Sequence, residues 1–265
     1  MVATVGTLCY TLSVMNSSKI DQLTRRAEER MTLSRDQLHD LSHVRRVVQS
    51  VETFAVALGC DERQREALRL AAWWHDVSRT LSRRPSIIFM PFFDDILSAL
   101  FLWRESIRCG VFGSVVGTAT RMIFCKSIGT GKILTKILMR KKNRILTDIL
   151  QDADMLDVLN IERTKNMYAL VEASRMYHFS YKLMIWWFLS LQKLQLKTTI
   201  AKKQLAIVLH EFLAWIQERD MLLWHIDHFG RTWVEKNIAR AKIFLHQLQS
   251  FLEPSPPLMQ SHTLS

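Results

Sequence analysis

Glycine and proline are scarce in this chain, eight and five among 265 residues, and its four cysteines include no Cys-x-x-Cys pair. Few turn-formers and a wealth of Leu, Met, Trp and Lys favour helices over strands. Cys9, Cys60, Cys109 and Cys125 are too widely spaced for a disulfide framework, so reduced thiols in a cytoplasmic protein are expected. Residues 2–15 lack the basic start and clean apolar core of a secretory leader. The longest apolar run, Ser86 to Trp103, contains Pro91, Asp94 and Asp95. Charges there would be costly at a bilayer centre, so the run reads as core and not as a membrane span.

Acidic residues are nearly absent from one segment. Between Arg104 and Arg144 there are ten Lys or Arg against one Glu, which accounts for most of the formal charge of +11. A local basic patch suits phosphate groups, anionic lipid or nucleic acid, and equally a solvated helix face.

At 48% hydrophobic and 23% charged residues the chain reads as globular, with ample length for a core. Ser17 to Met31 suggests an entry helix. Ser34 or Asp36 opens a second, in which Leu38, Leu41, Val44, Val47, Val48, Val51, Phe54, Ala55 and Leu58 recur at helical spacing until Gly59. Asp61 and Gln64 form a capping box for a third helix, apolar on nearly every side as it reaches Trp73-Trp74-His75-Asp76. An ionisable pair at such a helix end needs a partner.

Between Val77 and Gln151, Pro85, Pro91 and five glycines within 22 residues (Gly110, Gly113, Gly117, Gly129, Gly131) predict an irregular or mobile region, a candidate lid. Ile145 to Leu159 reads as a helix whose aspartates face one way. Helical patterning continues over Met167 to Leu196, Ala201 to Trp224 and Trp233 to Leu252, before a Pro-rich tail expected to be disordered.

Three stretches carry the chemistry. They are Ser42-His43-Val44-Arg45-Arg46-Val47, Ala71-Ala72-Trp73-Trp74-His75-Asp76-Val77, and Ile149-Leu150-Gln151-Asp152-Ala153-Asp154-Met155-Leu156-Asp157. Imidazoles and carboxylates brought together suit one divalent cation: Mn, Mg, Fe, Ni or Zn. In this order the stretches resemble the HD-domain metal-dependent phosphohydrolase superfamily, over residues 35 to 165.

The resemblance implies an all-α, HD-domain-like helical bundle with additional C-terminal helices. Residues 1–33 would form an N-terminal extension with the entry helix, 34–165 the metal-binding core, 166–252 helices packed on the same domain, and 253–265 a tail. It implies His43, His75, Asp76 and Asp154 as metal ligands, with Asp152 as the alternative last ligand. It further implies hydrolysis of a phosphoester or phosphoanhydride, commonly in a nucleotide, by metal-activated water. Asp76 is then catalytic as well as ligating, and Arg46 and Arg79 are the cations to steady phosphoryl charge, with a structural ion pair as the other reading for each. Lys132, Lys136, Arg140, Lys141, Lys142 and Arg144 would gather the substrate's phosphates.

No histidine lies between Asp76 and His178, so a mononuclear site is expected. Arg79 stands where nucleotidase branches carry Glu, and Met155 where an Arg is usual. These departures keep a second reading open: an HD-type module without catalysis that binds nucleic acid or another anionic partner through the basic segment. Four other stretches carry less. His39 and His43 have metalloprotease spacing without a third ligand, and Ser127 to Lys132 is a poor phosphate loop. His225, Asp227 and His228 spread around a helix as cap and surface residues, while Met184 to Phe188 reads as core.

Overall fold

The computed structural model describes residues 19–82, 90–126, 131–190 and 196–252, with no side-chain description at 90–92, 187 and 190. The N-terminal leader question, most of the phosphate-loop motif and the Pro-rich tail lie outside the described residues. Those described form twelve α-helices and no strand. They are α1 (19–31), α2 (Leu41–Ala57), α3 (Glu62–Trp74), α4 (Met90–Arg108), α5 (Ser114–Cys125), α6 (Gly131–Leu138) and α7 (Arg144–Asp157), then α8 (Ile161–Ala173), α9 (Arg175–Ser190), α10 (Thr199–Ile216), α11 (Arg219–Phe229) and α12 (Arg231–Leu252). Two 3-10 turns, Val77–Leu81 and Lys141–Asn143, join α3 to α4 and α6 to α7. The all-α expectation holds, and no helix among the described residues is long and apolar enough to cross a membrane.

The centre is a packing of α2, α3, α5 and α7. Helix α3 lies against α2, α5 and α7, which is why its second half is apolar all round. Leu68, Leu70, Ala71, Ala72 and Trp74 are fully buried, and each buried leucine contributes about 2 kcal/mol. The capping box starts α3 as expected, Asp61 Oδ1 accepting from Gln64 N at 2.8 Å and Gln64 Oε1 from Asp61 N at 3.0 Å. Helix α2 begins later than its pattern suggests, because Asp40 is its N-cap and Asp36 shapes the turn before it.

Helix α1 is part of this core. Leu23, Ala27 and Met31 are buried at successive turns, and Trp74 Nε1 donates to the Leu23 carbonyl at 3.1 Å. At the other end, α10 packs on α7 and α2, and α12 on α9, α10 and α11.

Among the described residues the region expected to be irregular is instead mostly α4, α5 and α6, while Pro85 and Gly129 of that expectation lie outside them. Gly110 (φ +63°) and Gly113 (φ +137°) serve the α4–α5 turn, Gly117 sits within α5, and Gly131 opens α6. The apolar run expected as core is only partly so, since Phe93, Leu100 and Trp103 are exposed on α4. Trp186 is exposed too, whereas its neighbours Ile185 and Phe188 are buried. His225 is not a surface residue. It is buried, with Nε2 2.9 Å from Tyr181 Oη and Nδ1 donating to the Met221 carbonyl at 2.6 Å.

Candidate metal centre

His43 sits in the first turn of α2, its backbone N–H donating to the Asp40 cap at 2.8 Å. His75 and Asp76 follow directly on α3, and Asp154 lies one turn before the end of α7. Helix packing brings these three chain positions together. His43 Nε2 and His75 Nε2 are 3.3 Å apart. Asp76 Oδ2 lies 3.2 and 3.4 Å from them, and Asp154 Oδ1 3.4 and 3.7 Å. His43, His75 and Asp154 are a possible metal-binding cluster, all three ligand atoms lying within 4.8 Å of one another.

The far side of each ring fixes what its Nε2 offers. His75 Nδ1 is 2.7 Å from the Ala72 carbonyl, which only accepts, so Nδ1 carries the hydrogen and Nε2 a lone pair. His43 Nδ1 donates to Asp157 Oδ2 at 2.6 Å, with the same result. Asp157 is itself held by Arg46, through Nε at 2.5 Å and Nη2 at 3.0 Å, and by Arg163 at 3.5 Å. Arg163 also donates to His39 Nε2 at 3.0 Å, so His39 is neutral and gives its Nδ1 hydrogen to Asp36 at 3.0 Å.

Two imidazole lone pairs and carboxylate oxygens thus face one point in a buried place. Asp76 Oδ2 is buried with no hydrogen-bond partner. A cation at about 2.1 Å from each donor puts neighbouring ligand atoms about 3.0 Å apart in octahedral and about 3.4 Å in tetrahedral geometry, close to the separations here. The donor set therefore fits a divalent ion. Without one, protons take its place. Burial would depress the His75 imidazolium, but the negative charge of Asp76 and the nearby Asp154 carboxylate push it up to about 10. Burial likewise opposes charge on Asp154 and Asp76, yet Lys126 and His75 hold both well below the usual carboxylate range.

Lys126, at the C-terminal end of α5, places its ammonium 2.8 Å from Asp154 Oδ2, 3.5 Å from Asp95 Oδ1 and 4.0 Å from Asp76 Oδ1. Burial disfavours its charge, but these carboxylates keep it protonated well above the ordinary lysine range. Asp95 behaves differently. Burial and the charges of Asp94, Asp76 and Asp154 outweigh Lys126 and push it up to about 6. Of the four proposed ligands only Asp154 reaches solvent appreciably, at 24% side-chain exposure, so the centre opens on the Asp154 and Lys126 side.

The other sequence-predicted residues are placed elsewhere. Arg46 turns to Asp157 on the Nδ1 side of His43, away from the facing Nε2 atoms, and lines a cavity of about 380 Å³. Arg79 is buried in an ion pair with Asp94. For both cations the structure has the ion pair of the other sequence reading. Asp152 points away from the cluster and accepts from Lys197 N, Thr198 N and Thr198 Oγ1 at 2.8–2.9 Å, so the aspartates of α7 do not share a face.

Lys132 and Lys136 are exposed on α6, and Arg140, Lys141, Lys142 and Arg144 follow it. Gln64 approaches the Lys142 carbonyl and Asn143 at the start of α3, the end opposite His75. Arg144 is ten residues, about 15 Å along α7, from Asp154. Lys142 and Arg144 thus lie toward the ends of α3 and α7 opposite the cluster. Sequence reasoning missed Lys126, Asp95, Asp157 and Arg163. Only Asp94-Asp95, two acids inside an apolar run, gave a visible signal that a buried cation was required.

Compared with protein-family models, with curated proteins and with solved structures, the chain matches none.

Proposed function

We propose that this chain is a metal-dependent phosphohydrolase of HD-domain type, cleaving a phosphoester or phosphoanhydride, with nucleotides as the first substrate class to assay. The observation that carries the reading is the set of lone pairs from His43, His75, Asp76 and Asp154 aimed at one point, with Asp76 Oδ2 left without a hydrogen-bond partner. When bound, a divalent cation would acidify a water and polarise a phosphoryl oxygen. His43 and His75 would hold it through Nε2, their rings fixed by Asp157 and the Ala72 carbonyl. Lys126 would occupy the outer oxygen of Asp154, keeping Oδ1 turned inward, and set positive charge beside the open edge where a phosphate arrives. A cytoplasmic, reducing setting belongs to the same proposal, resting on the unpaired thiols of Cys60, Cys109 and Cys125.

The test is phosphate release from nucleoside mono-, di- and triphosphates and cyclic nucleotides by metal-stripped protein, with Mn²⁺, Mg²⁺, Fe²⁺, Ni²⁺ or Zn²⁺ restored. Turnover that needs metal and is lost in His75→Ala Asp76→Ala supports the reading. Tight metal binding with no turnover across the panel sinks it.

The placement of Lys142 and Arg144 toward the opposite ends of α3 and α7 favours a second reading, a module without catalysis that binds nucleic acid or another anionic partner through this segment. Steeply salt-dependent binding that ignores the His75→Ala Asp76→Ala change would select it.

A further inference from the structure

A separate cavity of about 580 Å³ lies between α1 and the C-terminal end of α4. At its base Glu105 is fully buried and paired with Arg26 and with Arg30, the latter at 2.8 Å, while Arg108 lies 3.9 Å away. One carboxylate thus anchors two guanidinium groups, with a third beside them. Arg25 and Lys19 add two cations to the wall, and Glu29 is the only other acid lining it. Five positive charges against two negative ones, gathered in a concavity, repel one another unless an anion joins them.

The wall is also held in place. Arg30 lies over the rings of Trp74 and Phe101, 5.8 and 5.9 Å from their centroids, so cation–π attraction adds to Glu105 in positioning its guanidinium. Each guanidinium carries five N–H donors in a planar fork, and one carboxylate cannot use those of Arg26, Arg30 and Arg108 together. A fork held in place matches tetrahedral oxyanions bidentately, at little ordering cost.

We infer that this cavity is a binding site for a multiply charged phosphate group, distinct from the metal centre and from the basic residues around α6. The phosphate belongs either to a free polyphosphate-bearing molecule or to a lipid headgroup. The second source is raised by Leu100, Trp103 and Ile107, exposed on the same helix as Arg108.

The test uses the full-length protein in EDTA, so that the probe does not titrate the metal centre, with inorganic tripolyphosphate followed by calorimetry. Arg25 and Arg108 are exposed and outside the closest pairs with Glu105, so Arg25→Ala Arg108→Ala leaves that anchor in place. The expected result is at least tenfold weaker binding in this variant and unchanged binding in Lys132→Ala Lys136→Ala. Single Arg25→Glu, at an exposed helix position, should weaken binding in the same direction and guards against a folding defect in the double variant. Equal affinity in wild type and the Arg25 Arg108 variant, or an equal loss in the two double variants, overturns the proposal.

Co-sedimentation with phosphatidylcholine vesicles, with and without phosphatidic acid, separates the sources. Sedimentation that needs phosphatidic acid and is competed by tripolyphosphate assigns a headgroup. Tripolyphosphate binding without sedimentation assigns a free ligand.

Discussion

Asp157 has no place among the ligands, yet the geometry of His43 depends on it. Its carboxylate takes the Nδ1 hydrogen, and Arg46 and Arg163 hold the carboxylate in turn. Removing it frees the ring to rotate or to move its hydrogen to Nε2, where no metal can then bind. Asp157→Ala should weaken divalent-metal affinity roughly 10–100-fold in a competition titration, with helix content retained. Unchanged affinity would show that the α2 turn alone orients the ring. Asp95 gives a pH signature. Its carboxyl ordinarily titrates near 3.8 and in the fold near about 6, so the folded state holds the extra proton between these values and stability falls as pH rises through that window. The cost of ionising it, about 3 kcal/mol, is complete above pH 6. Asp95→Asn should therefore gain stability relative to wild type between pH 4 and pH 7, read from urea midpoints at each pH, and a difference constant with pH would remove the argument. The four candidate ligands were legible because each sits in a short local pattern. Asp157 with His43, and Lys126 with Asp154, were not, because those pairs form only when distant helices pack.

Local chemistry made most helices readable, and the same chemistry explains the failure between α3 and α7. The capping box of α3 and the αL glycine after α2, Gly59 at φ +67°, act within a few residues and are visible without the fold. The glycines from 110 to 131 look alike in sequence but do different things. A methyl group on Gly131 would stand 2.5 Å from the Cys125 carbonyl, a backbone atom that cannot step aside, whereas one on Gly117 would meet only the tip of Arg121 at 3.7 Å. Gly131→Ala should thus lower the thermal midpoint by several degrees. Gly117→Ala, in the interior of α5, should be neutral or stabilising by up to about 1 kcal/mol, since alanine restricts the unfolded chain and favours helix. If both substitutions stabilise, the tight approach of α6 to the end of α5 is wrong. Helix α7 is the opposite case, read correctly as a helix and incorrectly as one acidic face, because Asp154 and Asp157 both reach the His43 ring while Asp152 turns to the start of α10.

The ligand cluster draws on α2, the end of α3 and α7, so a bound cation would tie together the helices at the centre of the molecule. Asp152, two residues from Asp154, extends that tie to the C-terminal helices by accepting from the backbone at the start of α10. Losing these buried bonds in Asp152→Ala should cost about 3 kcal/mol, measured by chemical denaturation, without changing metal affinity. The same connection decides how metal stabilises the whole. A ligand binding only the folded state adds about 2.7 kcal/mol at a free concentration one hundred times its Kd. If α8 to α12 unfold with the centre, that increment must move one cooperative transition upward, and His75→Ala Asp76→Ala must abolish the shift. If they formed an independent unit, metal would raise one transition and leave another in place. A single shifted transition in wild type that divides into two in Asp152→Ala is the expected outcome of differential scanning calorimetry. Two transitions already present in wild type would break the link drawn here between the cluster and the C-terminal helices.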